Sequence, residues 1–136
     1  MEFFIIIKAN ANTEAGVMPS TPLLQAMGDF NQRLSEAGVL VSGNGLHPSS
    51  RSARVHFSAA GRHIEHGPFA LTEDTISGYW VWRLPSLDAA CDWAAQIPNP
   101  DNEHYCVDIR PIFSADDFGG ALTPELRERE EKLARQ

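Results

Sequence analysis

An α+β domain, with helices on one face of an antiparallel sheet, is the fold class predicted for this chain of 136 residues. Three observations predict it. Short β-branched and aromatic runs, "EFFIIIK" at 2–8 and "ISGYWVWRL" at 76–84, have the composition of strands. Two amphipathic segments of helical period separate such runs. Between the two halves lies "ARVHFSAAGRHIEH", 53–66, which reads as a β-hairpin turning at "AAGR". The order is therefore β-α-β, hairpin, β-α-β, then an extra helix. Without the hairpin this is the ferredoxin-like split arrangement.

Each element has its own warrant. In 2–8, Phe3, Ile5 and Ile7 alternate with Phe4 and Ile6, so both strand faces are apolar and both are expected to be covered. Residues 9–19, "ANANTEAGVMP", read as a loop. A helix over 21–37 starts near Ser20 or Thr21, with Pro22 suited to its first turn. Leu23, Met27, Phe30 and Leu34 form its apolar stripe, and Gly38 fits the left-handed stop. "VLVSGNGLHP", 39–48, is a second strand with a glycine-rich exit. In 76–84, Trp80 and Trp82 share one face, Tyr79 and Val81 the other. Ser86 caps a helix over 87–97, with Leu87, Cys91, Ala94 and Ile97 on one side and Pro98 as its stop. "HYCVDIRPI", 104–112, is the last core strand. The tail, 114–136, is expected as a solvated helical extension of a domain spanning 1–113. It offers a Thr cap and ion pairs Glu125–Arg129, Glu128–Lys132 and Glu131–Arg135.

Composition narrows the function. A net charge of −7 lacks the basic patch that nucleic acid or an anionic membrane requires. The apolar run in "MEFFIIIKAN" is too short for a signal-peptide core or a membrane span. With no such signal, a cytoplasmic location and free thiols are expected. Cys91 and Cys106 both fall in predicted regular elements, which suits inert core thiols.

A sheet with helices on one face leaves its other face bare. An apolar face of that size calls for a cover, and a second copy of the same sheet is the simplest one. A homodimer packed through sheet faces is expected, with Trp80 and Trp82 walling its cavity. The C-terminal helix is too polar to serve instead.

Candidate chemistry lies near that face. In the last strand, Tyr105, Val107 and Ile109 suit the helix-covered side, so Asp108 and Arg110 point to the open one and can pair or share a cavity. His47, held by Pro48 at the end of the second strand, and His66, before the Gly67–Pro68 bend, are candidate acids or bases. Gly67 is expected to permit a strained backbone angle, and Phe69 to plug the core. Arg54 is a candidate anion clamp, and Asp74 lies in the loop after the bend. A metal site is not expected. His63 and His66 fall on opposite strand faces, and His56 facing His66 across the hairpin makes only two ligands. No cofactor is expected, since dinucleotide, Walker and nucleophile-elbow patterns are absent.

"GLHPSS", "ARVHFS", "GPF", "GYWVW", "SLDAACDWAAQIP" and "DIRPIF" occur in the order and spacing of YCII-related, or DGPF-domain, proteins. The chain resembles that family over about residues 2–113, and its charged tail resembles the extension of longer members. The resemblance implies a dimeric α/β-barrel of ferredoxin-like protomers with a cleft between sheet and loops. It also points to proteins described as PhnB-like or as accompanying extracytoplasmic-function sigma factors. This chain departs from the usual Asp-Gly-Pro-Phe pattern. His66 replaces the Asp, Leu71 a Glu and Glu73 a Lys, while Thr72 and Asp74 are kept. Shorter members carry a histidine in the first helix, and 21–37 has none.

Two functions follow as expectations. One is a cofactor-free enzyme moving protons in a dimer cleft. His47 or His66 would be its base, paired with Asp74 or Asp108, with Asp108 as orienter, Arg54 or Arg110 an anion clamp, and Trp80 and Trp82 its walls. The other is a non-catalytic small-ligand-binding or accessory protein, acting with a sigma factor.

Overall fold

The computed structural model describes residues 1–134. A four-stranded antiparallel sheet is built from β1 (Glu2–Lys8), β2 (Leu40–Gly45), β5 (Ile76–Arg83) and β6 (Val107–Pro111). The order β2-β5-β1-β6 is that of a ferredoxin-like domain. Between β2 and β5, β3 (Ala53–Ser58) and β4 (Gly61–His66) make a separate two-stranded sheet. Helices α2 (Thr21–Glu36) and α3 (Leu87–Ala94) cover one face of the main sheet. A short α1 (Ala11–Glu14) precedes α2, and α4 (Pro124–Ala134) closes the described chain.

Register explains the core. Phe3 lies opposite Trp82 and Ile5 opposite Trp80, so all four share one sheet face. Phe30 of α2 meets Trp80, Trp82 and Trp93 edge-on, with ring centroids 5.8, 6.2 and 6.1 Å apart. Each such side chain contributes about 1.5–3 kcal/mol by burial. Edge-to-face contacts add about 0.5–1.5 kcal/mol per pair. The two tryptophans therefore sit beneath the helices and do not wall a cavity on the open face. Their strand partners and α2 offer apolar and aromatic contacts there. Trp82 is fully buried, and its Nε1 has no hydrogen-bond partner among the described residues. Trp80 Nε1 donates to Asn31 Oδ1 at 2.9 Å. Gly43 faces this indole, and a Cβ there would overlap Trp80 Cδ1.

The open face carries an apolar stripe along its middle strands. Phe4, Ile6, Tyr79 and Val81 are half-buried, and Phe4 stacks on Tyr79 at 5.5 Å. Ser42 and Asn44 flank the stripe on β2, Asp108 and Arg110 on β6. Val107 and Ile109 turn toward the helices, as the alternation predicts.

Several local expectations are corrected. The segment read as a loop contains α1, nucleated by a reciprocal cap between Asn10 and Thr13. In α3, Ala90 is buried and Trp93 and Ala94 pack on the core, while Leu87 and Cys91 face outward. The large Trp93 ring gains more by burial than Leu87 and sets the helix rotation. Both thiols are exposed, so neither is a core cysteine. In the hairpin, His56 lies opposite His63, with rings 5.9 Å apart, and His66 lies opposite Ala53. Every residue of β3 and β4 is exposed.

A 3-10 segment, Ala115–Ala121, leads into α4, where Arg127 alone is half-buried and the rest is exposed. Thr123 Oγ1 caps α4 by accepting from Leu126 N. Lys132 pairs with Glu128 at 3.4 Å, and Arg127 pairs with Asp116. The expected Glu131–Arg135 pair reaches 135–136, outside the described residues. No described helix is long and apolar enough to cross a membrane.

Candidate functional site

The residues singled out from sequence do not meet at one point. Both ring nitrogens of His47 lie 3.1 Å from Arg51 Nη1, which occupies that histidine. Asp108 is held by Lys8, 3.2 Å from its Nζ, and does not pair with Arg110. The reason is cross-strand: Ile6 faces Asp108 and Phe4 faces Arg110, so Lys8 at the end of β1 is the cation within reach. Lys8 Nζ also donates to the Glu73 carbonyl at 2.6 Å. Asp74 lies beside it, its backbone N–H donating to Thr72 Oγ1 at 3.2 Å. The Arg54 guanidinium stacks 4.1 Å above the Phe69 ring. His66 stands exposed at the end of β4. One histidine does meet a carboxylate: His56 Nε2 lies 2.9 Å from Glu65 Oε1 on the exposed hairpin. That hydrogen bond, with the nearby charges of His56, Arg54 and His63, holds the Glu65 carboxyl below its ordinary range.

The "GLHPSS" and "GPF" motifs form a structural joint. Ser49 is buried; its Oγ donates to Glu14 Oε2 at 2.6 Å and accepts from Phe69 N at 3.0 Å. Its N–H donates to Glu14 Oε1 at 3.1 Å. Gly67 N–H donates to the Ser52 carbonyl at 2.8 Å. Gly67 is required by proximity, not by an unusual backbone angle: a Cβ would overlap the Ser49 carbonyl oxygen. Phe69, expected in the core, instead lies half-buried under Arg54.

A cavity lies elsewhere, between α2, the sheet and the loop before β6. Its volume is about 550 Å³, within the range of small-molecule sites. Leu23, Leu24 and Met27 of α2 form one wall, and Ile7, Gly78 and Trp80 of the sheet form another. It runs from buried Trp80 and Gly78 toward exposed Leu24 and Asn99. Several of its polar groups are fixed by hydrogen bonds. Asn10 Nδ2 donates to Glu103 Oε2 at 2.9 Å, and Asn12 Nδ2 reaches Glu103 Oε1 and Oε2 at 3.1 and 3.3 Å. Asn99 clamps the Glu103 backbone, its Oδ1 and Nδ2 each 3.0 Å from Glu103 N and O. Tyr105 lines the same space, and burial raises its phenol above the ordinary range, so it stays neutral at physiological pH. Such a lining can hold an apolar body and orient one polar end. No histidine is part of it.

A family model for the YCII-related domain matches residues 1–115 of the chain. The chain belongs to the YCII-related family. An uncharacterized protein of Rhizobium meliloti (strain 1021) is 27% identical over 90 residues, covering 66% of this chain and 73% of that protein.

Of the residues expected to bind ligand, Trp80 is the one that lines the cavity of this YCII-related domain. Sequence reasoning missed Asn10, Asn31, Glu103 and Tyr105 as a group. Strand parity did place Tyr105 on the helix side, and "NANT" carries a cap signature that locates Asn10. No local pattern brings the two together, since Asn10 and Glu103 are 93 residues apart in the chain.

Proposed function

We propose that this YCII-related domain binds a small amphipathic molecule in the cavity between α2 and the sheet, and that it works as a homodimer through its open sheet face. The carrying observation is the combination in one cavity of aliphatic and indole walls with a single carboxylate pinned by amides. That composition is typical of a ligand site, where apolar area supplies affinity and a few polar groups supply orientation. Binding is favoured over proton transfer because neither His47, His66, Asp74 nor Asp108 lines this cavity. Arg51 and Lys8 already occupy two of those groups. The apolar stripe of Phe4, Ile6, Tyr79 and Val81 supports the homodimer.

The test uses a neutral amphiphile. Octan-1-ol should raise the melting temperature of the full chain in a dose-dependent manner, since a ligand of the native state stabilises it by mass action. Met27→Trp, which fills the cavity from α2, should remove the rise while leaving a cooperative melt. No rise in the unmodified chain, or an equal rise in Met27→Trp, would sink the reading.

A further inference from the structure

We infer that the ligand of this cavity is an amphiphile ending in a protonated amine, with Glu103 as its anionic partner and the Tyr105 hydroxyl as a second acceptor. The inference rests on the cavity being the ligand site and names the chemistry it selects. Glu103 is half-buried, and its carboxylate is held in place only by the neutral amides of Asn10 and Asn12. Among the described residues no basic side chain pairs with it. Lys8 is the one cation in the lining, and its ammonium is taken by Asp108 and the Glu73 carbonyl.

A cation that donates charge-assisted hydrogen bonds pairs with such a carboxylate about twice as strongly as a neutral donor does. A carboxylate has about four acceptor sites, so the two amides leave room for a further donor. Tyr105, two residues on and lining the same space, makes no hydrogen bond among the described residues. Its half-buried phenol stays neutral at neutral pH and can accept from an ammonium. The aliphatic walls of Leu23, Leu24, Met27 and Ile7 suit a hydrocarbon body. A chain of net charge −7 repels an anionic head before it reaches the site.

The experiment ranks three ligands of one shape on the unmodified full chain: octylammonium, octan-1-ol and octanoate, by calorimetric titration at neutral pH. Octylammonium should bind about tenfold or more tightly than octan-1-ol, the scale of one charge-assisted hydrogen bond, with octanoate weakest. Glu103→Gln should remove the preference, so that within that variant octylammonium binds no more tightly than octan-1-ol. Octanoate equal to or tighter than octylammonium overturns the inference while leaving the cavity as the ligand site. So does an ammonium preference that survives Glu103→Gln. If none of the three binds, the cavity reading and the inference fall together. The ranking on the unmodified chain decides the matter even where Glu103→Gln does not fold.

Discussion

Two glycines show how a single atom divides structural roles. At Gly67 a Cβ would run into the Ser49 carbonyl, a backbone atom fixed by the joint with Glu14 and Phe69. Gly67→Ala should therefore lower stability by about 1–3 kcal/mol, the cost of overpacking. At Gly28, exposed inside α2, nothing lies within 4 Å of the added Cβ. Gly28→Ala should raise stability by about 0.5–1 kcal/mol through helix propensity. Urea denaturation of both variants checks the pair, and equal effects would refute this account of Gly67. Tyr105 gives a pH signature. Burial holds its pKa above the ordinary 10.0, so the folded chain keeps the proton longer than the unfolded one. Its contribution is intact below that pH and is lost as pH rises through the folded value. Tyr105→Phe should flatten the loss of stability above about pH 10, measured by urea midpoints across that range. A slope unchanged by the substitution would place the alkaline loss on other groups. At this scale the histidines drew the eye in the sequence because their chemistry is visible there. The fixed carboxylate at Glu103 was not, since its meaning lies in the amides that meet it from a distant segment.

The hairpin β3–β4 is the element least held by the rest of the fold. All its residues are exposed, and an isolated two-stranded hairpin is marginal in water. The Arg54–Phe69 stack ties it to the body, and the Gly67–Ser52 hydrogen bond closes its base. Its backbone amides should exchange with deuterium faster than those of β1 and β5, and Arg54→Ala should speed them further without affecting the central strands. Protection equal to that of β1 would mean another surface covers the hairpin. Helix starts were legible: Ser20 Oγ accepts from Leu23 N at 3.2 Å and Ser86 Oγ from Ala89 N at 3.1 Å, where the sequence places both caps. The buried side of α3 was not. In "LDAACDWA" small residues surround the helix, so period alone assigns its face poorly, and contact with Phe30 selects Trp93.

At the scale of the whole molecule, the open sheet face is where the proposed homodimer would form. If a second copy covers the Phe4, Ile6, Tyr79 and Val81 stripe, the chain sediments as a dimer. Val81→Asp should then weaken that dimer by about tenfold or more and leave the circular-dichroism spectrum unchanged. A monomer at micromolar concentration in the unmodified chain would remove the dimer from the proposal. The sequence by itself determined the fold class, the order of the strands and of the two helices packed on the sheet, and which residues alternate across each strand. Those properties follow from periodicity and caps, which are local along the chain. Only the tertiary structure decided which face of β5 meets the helices, so that the tryptophans became core, and where the cavity opens. Both depend on register and on contacts between segments far apart in sequence, as when Asn10 and Asn12 meet Glu103. Local pattern carries no record of those meetings.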